Sequence, residues 1–440
     1  MQNNDAALDF ILQTDWAHLP QDVQHQAKRC LLDTLGALLA GHQTPVAKLL
    51  HTFALDQFKG DEASILVRGG RTAAAGAALV NGFAANALDI DDGYRPIKGH
   101  PGACILPVIL AAGEIIPGTS GPDFLAALVV GYEIAIRAGL IRHATSTTYH
   151  SSGSWGAIGG AAAAGKLLRL DRNEMGHALG AAEYHAPIAP MMKCIEHPAM
   201  GKDSIGWGCL VAMMSAKLAA GGFTGSNPIF DDAPENEWID SLGRTYAMLN
   251  LYYKPYAACR WAQPGIDGAL QIMTAHNIDP GEIEKITVFT FAESAALSTS
   301  YPKDTEQAQY NIAFPIAAAL LDGEVGPAQV LAPRLAGKDI HAMMDRIRIV
   351  AEDRFQTEFP AKAESEVEIT TATGAVYNSG VMAARWDAHG SPPTDAELEQ
   401  KFLWLVTPIL GKASANALVN LTRTFDQEEN LKALIKLCLP

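Results

Sequence analysis

The first 265 residues are dominated by apolar segments of helical length, at 20–41, 71–88, 103–115, 123–143, 153–169, 174–182 and 204–220. They are rich in Ala, Leu and Gly, and punctuated by Gly and Pro where helices should start and stop. A helix that is apolar on almost every face has no water-facing side, so it must be enclosed by others of its kind. An all-helical bundle follows. Its most apolar window, "FLAALVVGYEIAIRAGLI", carries Glu133 and Arg137, which reads as a buried helix and not a membrane span.

Near Gly265 the pattern changes. "EKITVFTFAE" (284–293), "RIRIVAED" (346–353) and "SEVEITTATGAVYNS" (365–379) are rich in β-branched residues and bounded by turn formers, the mark of strands. Between them, "QYNIAFPIAAALLDG" and "PRLAGKDIHAMMDRI" read as helices. After "SPPTDAELEQKFLWLVTPIL" the chain turns helical again and is expected to rejoin the first unit. The expected fold is mostly α: a large all-helical domain over 1–265 and 390–440, and a smaller α+β lid over 266–389. A length of 440 residues suits two domains.

Charge and cysteine usage narrow the function. Lys and Arg number 33 against 48 Asp and Glu, and no basic block stands out, which disfavours nucleic acid and anionic membranes as partners. An anionic substrate would therefore need a local basic pocket. The six cysteines are scattered without a C-x-x-C pair, as expected of reduced thiols in a cytoplasmic protein. The start, "MQNNDAALDFILQTDWAHLP", has no signal-peptide pattern. "GAAAAGKL" (160–167) imitates a phosphate-binding loop, but Leu167 stands where Mg²⁺ coordination needs Ser or Thr, so close helix packing is the better reading.

Chemistry concentrates in "ALDIDDGYRPIKGHPGACILPVILAAGE" (87–114), where Asp89, Asp91 and Asp92 are followed closely by Arg95, Lys98 and His100. A metal site, a solvated turn and one wall of an anion site are the alternatives. The three bases would compete with a metal for the carboxylates and no second ligand cluster is evident, so no metal or cofactor is expected. Three helix starts each carry a basic or proton-transferring side chain: His100 before Pro101, Tyr149 and His150 before "SSGSWG", and Lys202 before "DSIGWG". Helix starts offer unpaired N–H groups and a partial positive charge, worth about 0.3–1 kcal/mol toward an anion. Should the three converge, they would form a carboxylate pocket already equipped for proton transfer.

Five blocks, "NALDIDD…HPGACILPVILAAGE", "YHSSGSWGAIGGAAAAGKLLRL", "AKLAAGGFTGSNPIF", "KPYAACRW" and "AFPIAAALLDGEV", resemble the successive signatures of the MmgE/PrpD family, in family order. The resemblance implies a helical domain built from both chain ends with an α+β lid, a site between them, a homodimer, and a metal-independent enzyme of small di- and tricarboxylates. Its members include 2-methylcitrate dehydratase, cis-aconitate decarboxylase and iminodisuccinate epimerase. Asp89, His100, His150 and Lys254 match family motif residues. Gly93, Cys259 and Phe314 stand where the decarboxylase pattern has Thr, His and Tyr, and Lys202 lies several residues from that pattern's lysine, with His197 nearer.

Such substrates share one step, removal of a proton α to a carboxylate, which needs a base at the C–H and positive charge on the carboxylate that becomes enolate-like. The expected catalytic groups are His100, Tyr149, His150 and Lys202, with Lys202 and either Tyr149 or His100 on opposite faces of the carbon. Asp89 or Asp92 would orient His100, and Lys98, Lys254 and Arg260 would bind carboxylates. An epimerase is the first expectation. A lyase of the 2-methylcitrate dehydratase or cis-aconitate decarboxylase kind, or a non-catalytic carboxylate binder, are the alternatives.

Overall fold

The computed structural model describes residues 2–440. Ten helices make the bundle: α1 (Gln2–Gln13), α2 (Gln21–Gly41), α3 (Pro45–Gln57), α4 (Ala74–Asn86), α5 (Pro101–Ile115), α6 (Gly121–Thr145), α7 (Ser152–Leu167), α8 (Arg172–His185), α9 (Met191–Glu196) and α10 (Ile205–Ala220). At its centre α7 touches α5, α6, α8 and α10. Glycine permits this crowding: a Cβ on Gly159 would lie 2.6 Å from the Gly131 carbonyl oxygen, and one on Gly156 would lie 2.2 Å from Cys104 Sγ. Thus "GAAAAGKL" is interior helix, not a loop.

Helix α6 is buried at every position from Phe124 to Gly139. Its two charges are satisfied internally: Arg137 Nη1 lies 2.5 Å from Glu133 Oε2, and that carboxylate also accepts from the Ala247 and Met248 backbone N–H groups. Burial of a charge is tolerable only with such partners. The bundle is not purely helical, however. β1 (Ala63–Ser64) and β2 (Arg71–Thr72) form a small antiparallel ribbon between α3 and α4.

The later sheet has the order β4–β3–β5–β6, from β3 (Ile283–Thr290), β4 (Ile347–Ala351), β5 (Glu364–Thr371) and β6 (Val376–Ala383). Only the β3–β4 pair is parallel. The run read as one strand at 365–379 is a hairpin, broken at Gly374, whose φ of +81° suits glycine. Helix Gln263–His276 covers β5 and β6, with Gly268 set against Val367. The chain is therefore mostly α, a large helical unit followed by a smaller α+β region. The last long helix, Asp395–Arg423, returns to pack along α2, where Gly36 makes room for the Phe402 ring.

Candidate functional site

The site begins where α4 ends. The terminal carbonyls of a helix have no partner within it, and here they are taken by side chains from distant segments. Lys202 Nζ donates to Asn86 O at 2.6 Å, and Gln309 Nε2 donates to Ala87 O at 2.9 Å. Beyond the helix, Lys401 Nζ donates to Ile90 O at 2.7 Å. Asp89 takes a left-handed φ of +51°, a conformation Asp tolerates better than most residues.

This path places two carboxylates around one imidazole. Asp91 Oδ2 lies 3.1 Å from His100 Nδ1, and Asp89 Oδ1 lies 3.5 Å from His100 Nε2. The Nδ1 atom is also 3.1 Å from the Asp92 carbonyl, toward which its hydrogen-bond geometry is the better one, so Asp91 acts on the ring mainly as a charge. Lys254 Nζ lies 2.9 Å from Asp89 Oδ1, and both side chains are almost wholly buried. All three acids of "DIDD" are buried, which removes the solvated-turn reading.

Burial and the Lys254 charge both disfavour the His100 imidazolium, yet Asp91, with Asp203 behind it, outweighs them and raises its pKa above the ordinary histidine value. Burial opposes ionisation of Asp91 too, but His100 holds it down at about 2. Asp92 is the reverse case. Burial and the neighbouring Asp33 push it up to about 7, against its hydrogen bonds from Tyr132 Oη at 2.6 Å and the Gly102 N–H at 3.1 Å.

The three helix starts do converge. The His100 N–H donates to Ser152 Oγ, that hydroxyl donates to Asp203 Oδ1, and the Gly153 N–H donates to the Asp203 carbonyl, at 3.1, 3.1 and 2.9 Å. Gly99 and Gly153 allow the approach: a Cβ on the first would lie 2.7 Å from Ser152 Oγ, and on the second 2.2 Å from the Ser204 carbonyl oxygen. Asp203 Oδ2 accepts from Tyr310 Oη at 2.9 Å, tying the junction to the later part of the chain.

Between the bundle and the α+β region lies a cavity of about 660 Å³. Asp89, Arg95, Lys98, His100, Tyr149, Lys254 and Arg260 line it, as do Asp203, Tyr252, Tyr310 and Asp387, which sequence reasoning had not placed there. Apolar wall comes from Met191, Ile195, Trp261 and Phe359. Lys98 sits with its ammonium 4.6 Å above the Tyr149 ring, while Tyr149 Oη donates to the Lys98 carbonyl. Among the described residues, Lys98 has no carboxylate within 4 Å, and burial lowers its pKa. Arg260 is more committed: it donates to the Tyr253, Ala384 and Arg385 carbonyls and lies 3.6 Å from Asp387.

Three expected site residues lie outside this lining. Asp92 faces Tyr132 and the start of α5 because its side chain leaves the turn on the opposite side from that of Asp91. His150 turns toward Ser146, whose Oγ is 3.1 Å from Nε2. Lys202 spends its ammonium on Asn86 O and on Gln309 Oε1, at 2.6 Å each, so it braces the Asp89 turn from behind. Asp89, Asp91 and His100 have ligand atoms within 4.8 Å of one another, the one grouping among the described residues that could hold a metal. The Lys254 ammonium already sits on Asp89, and His100 is engaged through Nδ1, so these groups suit proton chemistry better than ligation.

Residues 6–244 match the MmgE/PrpD N-terminal domain and residues 256–427 match the MmgE/PrpD C-terminal domain. The chain belongs to the MmgE/PrpD family. Cis-aconitate decarboxylase of Homo sapiens is 25% identical over 96% of this chain and 91% of its own length. A cis-aconitate decarboxylase-like protein of Aspergillus oryzae is 24% identical over 95% and 93%, and the Aspergillus terreus cis-aconitate decarboxylase is 26% identical over 55% and 54%.

Within this MmgE/PrpD chain the three departures noted in the sequence have structural sense. A Cβ at Gly93 would lie 2.2 Å from Tyr252 Cζ, so glycine is what admits the Tyr252 ring to the cavity wall. The Cys259 thiol, buried and near Asp89, is pushed up to about 12. Phe314 is wholly buried in the helix Ala313–Asp322, away from the cavity, whose hydroxyl on that side comes from Tyr310.

Proposed function

We propose that this chain is an acid/base enzyme that moves a proton on the carbon α to a carboxylate of a small di- or tricarboxylate, without a metal. One observation carries the reading: an imidazole set between two buried carboxylates lines a cavity that also holds Lys98 and Lys254. In the neutral ring, Nδ1–H is held by the Asp92 carbonyl, which leaves Nε2 as the base. Nε2 takes the α proton; Asp91 stabilises the imidazolium formed; Lys98 and Lys254 offset the charge growing on the substrate carboxylate.

The favoured outcome is return of a proton to the same carbon from the Tyr149 side, an epimerisation. The Cys259 thiol, pushed up to about 12, is only a weak acid for a departing group, and Tyr149 is held in the same cavity as His100. The second reading is a lyase, and the decarboxylase relatives favour it. Proton NMR in D₂O with single enantiomers of iminodisuccinate and 2-methylcitrate, alongside cis-aconitate, separates them. Deuterium at the α position with loss of chirality supports epimerisation, and new vinyl signals or CO₂ support the lyase. Thermal stabilisation by polycarboxylates with neither change would sink the catalytic reading. A homodimer belongs to this proposal as well. Trp207, Met214 and Leu218 form an exposed apolar stripe on α10 that a second copy would cover, and light scattering should return twice 46.8 kDa.

A further inference from the structure

We propose that Lys401, on the C-terminal helix and outside the cavity, is the positioning residue that sets the two carboxylates around His100. It rests on the proton-transfer reading of His100, which deepens here into how the imidazole is held.

Lys401 is buried, and its ammonium makes two contacts: Asp33 Oδ1 on α2 at 2.5 Å and the Ile90 carbonyl at 2.7 Å. Ile90 is the residue between Asp89 and Asp91. The peptide leaves the left-handed Asp89, and its carbonyl turns away from the cavity into Lys401 while the flanking carboxylates turn toward the two ring nitrogens. With the carbonyl free, among the described residues only the packing of the buried Ile90 side chain would keep that peptide in place, and the hydrogen bond left to hold Asp91 at His100 would be that from Asn86 Nδ2, 2.9 Å from its other oxygen. An unpartnered buried carbonyl drives such a rearrangement, because the turn gains by finding a new donor.

Ion-pair burial alone would not require this geometry. A lysine serving only to neutralise Asp33 could do so from any direction, whereas this one also reaches the one carbonyl between the two acids. The charged groups around His100 are Asp89, Asp91, Lys254 and Asp203; those around Asp33 are Lys401, Arg29, Asp91 and Asp92. Removing Lys401 and Asp33 together takes away equal and opposite charges; Asp92, which Asp33 holds up, ionises more readily both in that variant and in Asp33→Asn alone, so the difference between the two at His100 reports the position of its partners.

The test is ¹H–¹⁵N NMR titration of the full chain labelled at histidine, with the His100 signal assigned through His100→Gln. It needs no substrate, so it reads the positioning role even where the catalytic reading fails. Lys401→Met alone leaves Asp33 buried without its cation and is expected to unfold readily. The informative variant is Asp33→Asn with Lys401→Met. It should keep the helical circular dichroism of the parent, while the His100 midpoint falls by at least about half a pH unit, the scale of an outer-layer partner. Asp33→Asn alone, with the Ile90 contact intact, should move the midpoint by less than half as much as the double variant does. The proposal is overturned by a folded double variant whose His100 titrates as in the parent, or by an equal shift in Asp33→Asn alone.

Discussion

Lys254→Met isolates the contribution of the buried pair beside His100. Lys254 Nζ and Asp89 Oδ1 are 2.9 Å apart, and each side chain is only 1–2% exposed. At that separation the attraction is about 6 kcal/mol for an effective dielectric of about 20. Deleting the lysine leaves Asp89 buried with only Lys202 and His100 nearby as cations, and breaking such a pair typically costs about 3–5 kcal/mol. Urea unfolding at pH 7, followed by circular dichroism, should show a loss in that range, and Lys254→Met with Asp89→Asn should recover at least half of it. A second consequence follows at the ring. The Lys254 charge works against the imidazolium, so without it His100 keeps its proton to higher pH, and the rising limb of the rate profile should move to the alkaline side. A cost below about 1 kcal/mol, or no recovery in the double variant, would refute the assignment of Asp89 as an ionised partner of Lys254.

The other predictions concern the reaction itself. His100→Gln should lower α-proton exchange in D₂O by about 10²–10⁴-fold while polycarboxylates still shift the melting temperature. In the parent protein a base role requires neutral His100; because its pKa is raised, the rate should climb with pH through a midpoint above the ordinary histidine value and then level off, and a rate falling over that range would make His100 the acid. Lys98→Met removes the cavity's unpaired ammonium, which meets charge that grows as the proton leaves, so kcat should fall about 10-fold or more, and a rise in KM with kcat unchanged would make Lys98 a binding group only, as steady-state kinetics would show. Gly93→Ala pushes a methyl into the Tyr252 ring; overpacking of this kind costs about 1–3 kcal/mol, read by thermal denaturation.

The helices were legible in the sequence because a run as apolar as 123–143 has few other ways to be buried, and α6 is enclosed along most of its length. Strand positions were legible from their β-branched residues, but the hairpin within 365–379 was not, since a two-strand unit and one long strand share the same alternation until Gly374 is seen to take a positive φ. In the candidate site, segments were easier to read than side-chain directions. "DIDD" marked the turn, yet the left-handed Asp89 decides that Asp91 meets His100 while Asp92 meets Tyr132. Lys202 and its neighbour Asp203 were both in view, and the chain turns the acid, not the lysine, into the cavity. Tyr310 carried no local signal at all, because its hydroxyl gains its role from Asp203, 107 residues away.

The contact between Lys401 and Asp33 joins residues 368 positions apart. At the usual pace of synthesis, about 5–20 residues per second, α2 leaves the ribosome about 20–70 s before the helix that neutralises its buried carboxylate exists. Until then Asp33 has every reason to stay in water, and α2 cannot settle fully into the bundle. On the positioning role proposed for Lys401, the last helix is thus a timing device: the turn that carries Asp89 and Asp91 would take its final shape only when nearly the whole chain has been made, and a nascent or truncated chain ending before that helix would hold no organised imidazole.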